Sequence, residues 1–117
     1  MAKAGIVCSG SERSNINPTL IFASSLAALG NEVVIYFNPP GAQIMTKGEL
    51  EKIKGPGVPD LVELYDGIIA LGARIIVCEL ALDVKGFKPE DFREGVEIGG
   101  ATTFLAAIQD ATLTFCF

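Results

Sequence analysis

The sequence predicts an α/β fold, a single domain over residues 1–117 built on a doubly wound, mostly parallel five-stranded sheet. Short apolar runs rich in β-branched residues alternate with longer segments whose apolar residues recur at helical spacing. Half of the 117 residues are hydrophobic, which is enough for a buried core in a chain of this length. The expected architecture is a three-layer sandwich of flavodoxin-like outline, with helices on both faces of the sheet.

Each predicted strand is a short apolar run bounded by Gly, Pro, Asn or a small polar residue. The strands comprise residues 5–8, 32–37, 74–78, 95–97 and 113–117. The first helix is expected to begin at Asn17 and Pro18, since proline suits the first helical position, and to end at Gly30. Residues 38–59 form a Gly- and Pro-rich connection that is longer than an ordinary βα loop. Later helices are predicted over 60–71, 81–85 and 100–109, the last with an apolar stripe formed by Ala101, Phe104, Leu105 and Ile108.

The absence of histidine and the negative charge exclude several classes of function. Without histidine there is no Ser-His-Asp triad, no Cys-His dyad and no His-ligated metal, and the cysteine spacing suits no metal site. The formal net charge of −5 argues against nucleic acid and anionic membranes as partners. No apolar run reaches the ~18 residues that a membrane span requires. The odd number of cysteines and the lack of a signal sequence predict a cytoplasmic protein with free thiols.

Cys8 and Cys78 end the first and third predicted strands, where such sheets form their binding crevice. If the strand order is 2-1-3-4-5, these strands are neighbours about 5 Å apart and both thiols face one crevice. Cys78 also precedes a predicted helix, whose free N–H groups favour a reactive thiolate. The competing interpretation is packing, because cysteine is among the most buried residue types. Packing in the core or in an interface is the interpretation for Cys116, which lies between two phenylalanines.

Residues 76–83 (IVCELALD) and 95–105 (GVEIGGATTFL) resemble the DsrE/DsrF-like family, most closely its small peroxiredoxin-like branch. The first half is similar in outline, through strand one with Ser9 and Gly10 and through the strand entry ALGNEV at 28–33. The segment at 38–41 (NPPG) departs from the pattern of that branch. The resemblance implies a DsrE-like sandwich and a sulfur-relay protein in which one strand-end cysteine, here Cys78, takes up sulfane sulfur as a persulfide or thiosulfonate.

The same resemblance implies partners for the chain. These are sulfur donor and acceptor proteins or small sulfane-sulfur compounds, together with further copies of the chain in a dimer, trimer or hexamer. The low charged fraction of 20% agrees with self-association, because it leaves apolar surface to bury. A thiolate is itself the nucleophile, so neither a cofactor nor a metal is expected. The donor is expected to enter a crevice bounded by Ser9, Gly10 and the connection that begins at Asn38, and Cys8, if within reach, would resolve the persulfide as a disulfide with Cys78.

Two other classes of function stay open on sequence grounds. The chain would be a structural subunit with inert cysteines if it assembles with a catalytic paralogue. It would be a small-ligand-binding module if the turn at 9–14 takes the place of a phosphate-binding loop, although that turn has no GxGxxG or Walker pattern. The residues do not decide whether the chain is itself an enzyme.

Overall fold

The computed structural model describes residues 2–117, which form five strands and five α-helices, with two helices between the second and third strands and one between each other successive pair. The strands are β1 (Lys3–Cys8), β2 (Glu32–Phe37), β3 (Arg74–Cys78), β4 (Val96–Gly99) and β5 (Leu113–Cys116). The helices are α1 (Arg13–Ala28), α2 (Pro39–Ala42), α3 (Leu61–Ala70), α4 (Leu80–Lys85) and α5 (Ala101–Ala107). All four strand pairings are parallel, which confirms the predicted fold class.

The strand order is β4-β3-β2-β1-β5, so the flavodoxin-like order 2-1-3-4-5 is wrong for this chain. The first three crossovers each advance by one strand in the same direction, and right-handed crossovers of that kind place their helices on one face. The last crossover returns across the whole sheet from β4 to β5, which requires a helix on the opposite face. We call these two surfaces the α1/α3 face and the α5 face.

The main core lies on the α1/α3 face. Ile6, Ile35 and Ile75 are register partners in adjacent strands and are at most 1% exposed. They pack in one cluster with residues of α1 and α3, including Leu20 and Tyr65. The alternate residues of β2 and β3 turn to the α5 face, where a smaller cluster forms around Phe104, with Val34, Tyr36, Ile76 and Cys78.

Helix α1 begins one turn earlier than the sequence predicts, at Arg13, and Pro18 lies inside it. The Asn15 side chain accepts a hydrogen bond from the backbone N–H of Glu12, which satisfies a donor at the helix start. This local cap explains why the helix begins before Pro18. The apolar spacing that predicts the helix is confirmed, since Ile16, Leu20 and Ala23 are all fully buried.

The predicted stripe on α5 is narrower than expected. Phe104 is 3% exposed, whereas Leu105 is 57% exposed because it points away from the sheet. The end of the helix packs closely on β1, where a Cβ on Gly5 would lie 3.0 Å from the side chain of Ile108. Phe104 is therefore the buried anchor of α5.

The long connection after β2 is packed against the domain rather than extended from it. It contains α2 and two short 3-10 segments, Gln43–Met45 and Leu50–Lys52. Ala42, Met45 and Leu50 are at most 1% exposed and join the main core. None of the helices over residues 2–117 is long and apolar enough to cross a membrane.

Candidate functional site

The carboxyl ends of β3 and β4 lie side by side at the end of the sheet where parallel sheets commonly bind ligands. Cys78 and Gly99 are register partners at these two ends, and the backbone N–H of Glu79 donates to the carbonyl of Gly99 at 2.9 Å. The chain after β3 turns to the α1/α3 face, where Ala81 of α4 is buried in the main core. The chain after β4 enters α5 on the opposite face. The connections diverge at this pair of strands, which is the topological switch point of the sheet.

Cys78 lies on the α5 face at this switch point and is 5% exposed. Its neighbours in the smaller cluster include Tyr36, Ile76 and Phe104. Burial is the largest cause that raises the pKa of Tyr36, and the neighbouring Cys78 side chain raises this pKa further. The ring of Tyr36 stacks on that of Phe104, with centroids 5.1 Å apart and an interplanar angle of 23°. Cys78 thus shares a buried cluster with two stacked aromatic rings.

One carboxylate lies beside this group. Glu79 follows Cys78 directly, and its Oε1 would be 3.2 Å from a Cβ placed on Gly100 at the start of α5. Its negative charge is a further cause that raises the pKa of Tyr36. Glu79 therefore places a carboxylate beside the carboxyl end of β3 and the start of α5.

Cys8 faces away from this site. It is fully buried on the α1/α3 face, and its thiol donates to the carbonyl of Gly10 at 3.4 Å. Burial raises the pKa of the Cys8 thiol, although hydrogen bonds with Thr19 and Gly10 oppose this change. A buried thiol with a raised pKa is a weak nucleophile at neutral pH.

The expected neighbourhood of β1 and β3 is wrong, because β2 lies between them. Two strand spacings place Cys8 and Cys78 on the order of 10 Å apart along the sheet, and the two thiols point to opposite faces. A disulfide requires Cβ atoms about 4 Å apart. Direct pairing of Cys8 with Cys78 would therefore require the sheet to rearrange.

The structure brings Ser9, Gly10 and Asn38 together at the ends of β1 and β2. The side-chain amide of Asn38 donates to Ser9 Oγ at 3.0 Å, and its backbone N–H donates to the carbonyl of Cys8 at 3.2 Å. Gly41 of α2 packs directly against the end of β1, since a Cβ there would lie 2.7 Å from the Cys8 carbonyl oxygen. These polar groups are hydrogen-bonded to one another and closely packed, so the segment does not form an open anion-binding loop.

Cys116 is the exposed cysteine. It lies in β5 on the α5 face, opposite Val7 of β1, and its Sγ is 3.8 Å from Ser9 Oγ. Strands β1 and β2 separate it from β3. Cys116 is therefore accessible but is not part of the group around Cys78.

Away from the Cys78 group, residues 2–117 contain a cavity but no cluster of side chains suited to a metal ion. No set of three or more Cys, Asp or Glu side chains in this part of the chain is arranged to hold a metal ion. A cavity of about 560 Å³ lies between the connection at 50–60 and the start of α3, and Cys78, Tyr36 and Phe104 do not line it.

Tyr36 and Phe104 are the members of the site that sequence reasoning missed as functional candidates. Strand β2 is apolar from Val33 to Phe37, so no alternation of polar and apolar residues shows which side chains share the face of Cys78. The available signal was that Tyr36 is the one residue of this run with a hydrogen-bonding side chain.

The chain is similar to proteins of known sequence and to solved structures. It is 34% identical over 87 residues to an uncharacterised protein of Methanocaldococcus jannaschii, MJ0760; the match covers 74% of this chain but only 32% of that relative. The ychN protein of E. coli superposes over 100% of both chains, with a TM-score of 0.82 and 18% identity. MTH1491 of Methanobacterium thermoautotrophicum superposes over 98% of this chain and 97% of its own, with a TM-score of 0.68 and 12% identity. At such identities the two structures show a shared fold.

A family model establishes the relationship that the motifs around Cys78 predict. The model of the DsrE/DsrF-like family matches residues 2–117, and this range includes every strand and helix described above. The chain therefore belongs to the DsrE/DsrF-like family.

Proposed function

We propose that the chain is a sulfur carrier that takes up sulfane sulfur on Cys78 and passes it to a partner thiol. The observation that carries the proposal is the position of Cys78 at the carboxyl end of β3, at the switch point of the sheet, in a buried cluster with Tyr36 and Phe104. Membership of a family associated with sulfur relay supports the same chemistry. The fully buried Cys8 and the remote Cys116 offer no comparable group.

The transfer needs two displacements and no change in total oxidation level. The Cys78 thiolate attacks the outer sulfur of a donor persulfide, R–S–SH, so that a new S–S bond forms and the donor leaves as a thiolate. The proton of the donor persulfide is released to solvent, which leaves the Cys78 persulfide as an anion. An acceptor thiolate then attacks the terminal sulfur, the bond to Cys78 breaks, and Cys78 returns to the thiolate state. Donors and acceptors are accordingly protein persulfides and thiols or small sulfane-sulfur compounds.

Cyanide releases sulfane sulfur as thiocyanate and so counts the loaded sites. After incubation with inorganic polysulfide and desalting, the native chain is expected to yield about one thiocyanate per chain, because Cys78 is the one thiol at the switch point of the sheet. Cys78→Ser is expected to yield almost none, and the matched control Cys116→Ser is expected to match the native chain. Equal yields from native chain and Cys78→Ser would refute the assignment. No yield from either protein would favour the inert-subunit interpretation, which the low exposure of Cys78 also suits.

We further propose that the carrier is a homo-oligomer. The edge strand β5 has the uncharged sequence Leu-Thr-Phe-Cys and is mostly exposed, and Leu113 is 41% exposed. Beside it, Phe22 is 40% exposed and packs edge-on against Phe115 and Phe117. Such an edge is a template for pairing with another chain.

Light scattering coupled to size-exclusion chromatography tests this assembly. The native chain is expected to elute at a multiple of 12.3 kDa. Phe22→Glu places a charge within the apolar edge and is expected to shift the population towards monomer, whereas Glu63→Gln on exposed α3 surface leaves it unchanged. A native chain that is monomeric at high concentration contradicts the proposal.

A further inference from the structure

A cavity with aliphatic walls lies at the carboxyl end of the sheet, on the α1/α3 face. The connection leaves the carboxyl end of β2, and α3 runs back to the amino end of β3, so the first turn of α3 lies at the carboxyl end. The cavity lies between this turn and residues 50–60 and has a volume of about 560 Å³. A volume of this order is typical of small-molecule sites, and parallel sheets bind ligands at this end. Cys78 does not line the cavity, which is therefore separate from the proposed sulfur site.

The cavity is apolar where it meets the core. Leu50 and Leu61 are 1% and 2% exposed and belong to the main core. Ile53, Val58 and Val62 are partly buried and pack against that core. None of these side chains can form a hydrogen bond, so a ligand that contacts them is itself apolar. No aromatic ring among residues 2–117 lines the cavity to stack on a flat ligand, which favours an aliphatic chain.

Lys54 is the charged residue of the lining whose side chain has no partner. Glu51 pairs with Arg93, with Oε1 and Nη1 3.1 Å apart. The carboxylate of Asp60 is the N-cap of α3 and accepts a hydrogen bond from the backbone N–H of Glu63 at 3.1 Å. The Lys54 ammonium makes no ion pair or hydrogen bond within residues 2–117. The charge left for a ligand at this cavity is therefore positive.

The wall that carries Lys54 is tied to α1. Arg13 Nη1 donates a hydrogen bond to the carbonyl of Lys54 at 3.3 Å. The next residue, Gly55, has φ +151°, and a Cβ there would collide with the Arg13 guanidinium. This contact fixes the position of the wall, and a site that is already formed loses less entropy when it binds a ligand.

We propose that this cavity binds a small aliphatic carboxylate, with the chain against the apolar lining and the carboxylate on the Lys54 ammonium. The proposal goes beyond the sulfur-carrier function and does not depend on it. The lining accounts for the chain and the unpartnered ammonium accounts for the head group. A neutral chain would lack the ion pair, and a short carboxylate would bury little apolar area, so both parts of the ligand contribute to affinity.

Titration with decanoate, decanol and acetate separates the two contributions. Amide ¹H–¹⁵N spectra of the native chain are recorded with each compound, below the concentration at which decanoate forms micelles. Decanoate is expected to shift amide signals within residues 50–62, and acetate is expected to shift none of them. Absent decanoate shifts, or shifts centred on the exposed Phe22 and Leu113 instead, overturn the proposal. Signals of residues 50–62 that move with protein concentration alone would show that a second copy fills the cavity, which also overturns it.

Lys54→Gln tests the head group. It is expected to weaken decanoate binding about fivefold, as for the loss of an exposed ion pair, and to leave decanol binding unchanged. Lys52→Gln is the matched control, because Lys52 pairs with Glu49 and does not line the cavity. This control is expected to bind decanoate as the native chain does. Unchanged decanoate affinity in Lys54→Gln, or equal weakening in the control, overturns the assignment of the carboxylate.

Val58→Trp tests the cavity itself. The indole occupies the space between the connection and α3, so decanoate affinity is expected to fall at least tenfold. If far-UV circular dichroism shows that this variant does not fold, Val58→Asp replaces it. Its carboxylate lies in the partly buried wall and is expected to lower decanoate affinity more than decanol affinity, because it repels the ligand head group. Native decanoate affinity in the folded variant overturns the proposal.

Discussion

Phe104→Ala is expected to lower the free energy of unfolding by about 3–4 kcal/mol, the usual cost of removing a buried phenylalanine ring. Phe104 is 3% exposed and anchors α5 to the sheet. With seven residues, α5 is too short to be stable without such packing. Alanine favours helix, so the loss reports the missing ring contacts rather than the helical backbone. Urea unfolding followed by far-UV circular dichroism measures the change.

Leu105→Ala is the matched control for this prediction. Leu105 belongs to the same helix but is 57% exposed, so its truncation is expected to change stability by less than about 0.5 kcal/mol. Equal losses from the two variants would show that α5 is not anchored by Phe104. The Phe104 variant is also expected to react faster at Cys78, because Tyr36 loses the ring on which it stacks.

Gly41→Ala is expected to cost about 1–3 kcal/mol, through overpacking against backbone rather than loss of contacts. The new Cβ would lie 2.7 Å from the carbonyl oxygen of Cys8 and 3.2 Å from that of Gly10. These atoms belong to the end of β1 and the following turn, which cannot rotate away as a side chain would. The strain therefore falls on the corner that joins β1, β2 and α2.

Gly67→Ala provides the opposite control. Gly67 lies within α3, and no atom is within 4 Å of the position of its new Cβ. Alanine there is expected to stabilise the protein by up to about 1 kcal/mol, since glycine is a poor helix former. Urea unfolding of both variants checks the pair. A Gly41→Ala chain as stable as the native protein would contradict the close packing of α2 on β1.

The secondary structure was largely predictable because its signals are local. The bounds 32–37 and 74–78 are those of β2 and β3, since each contains an uninterrupted apolar run after one charged residue and follows a glycine two positions earlier. The predicted start of α1 was too late, because proline is the more familiar sign of a first helical position. The Asn15 side chain, which caps the helix at Glu12, is a weaker signal in the sequence. The order of the strands was not predictable in this way. The handedness of a crossover fixes the face of its helix, but not which neighbour the next strand takes.

The candidate site was predictable only where one residue carried the signal. Cys78 ends a recognisable strand, so its place at the carboxyl end of the sheet follows from the sequence. Its partner Tyr36 depends on the register of β2 with β3, which an apolar strand does not reveal. The assumed pairing of Cys8 with Cys78 failed for the same reason, because facing and adjacency are properties of the assembled sheet.

Intact-mass measurement of chains with selected cysteines tests the central claim most directly. One chain carries Cys8→Ala and Cys116→Ser and keeps Cys78, and the other carries Cys78→Ala and keeps the remaining two thiols. After incubation with polysulfide and desalting, the first is expected to gain about 32 Da, the mass of one persulfide sulfur, and the second to gain none. No gain in the first chain, or an equal gain in the second, would contradict the assignment of Cys78 as the sulfur-carrying residue.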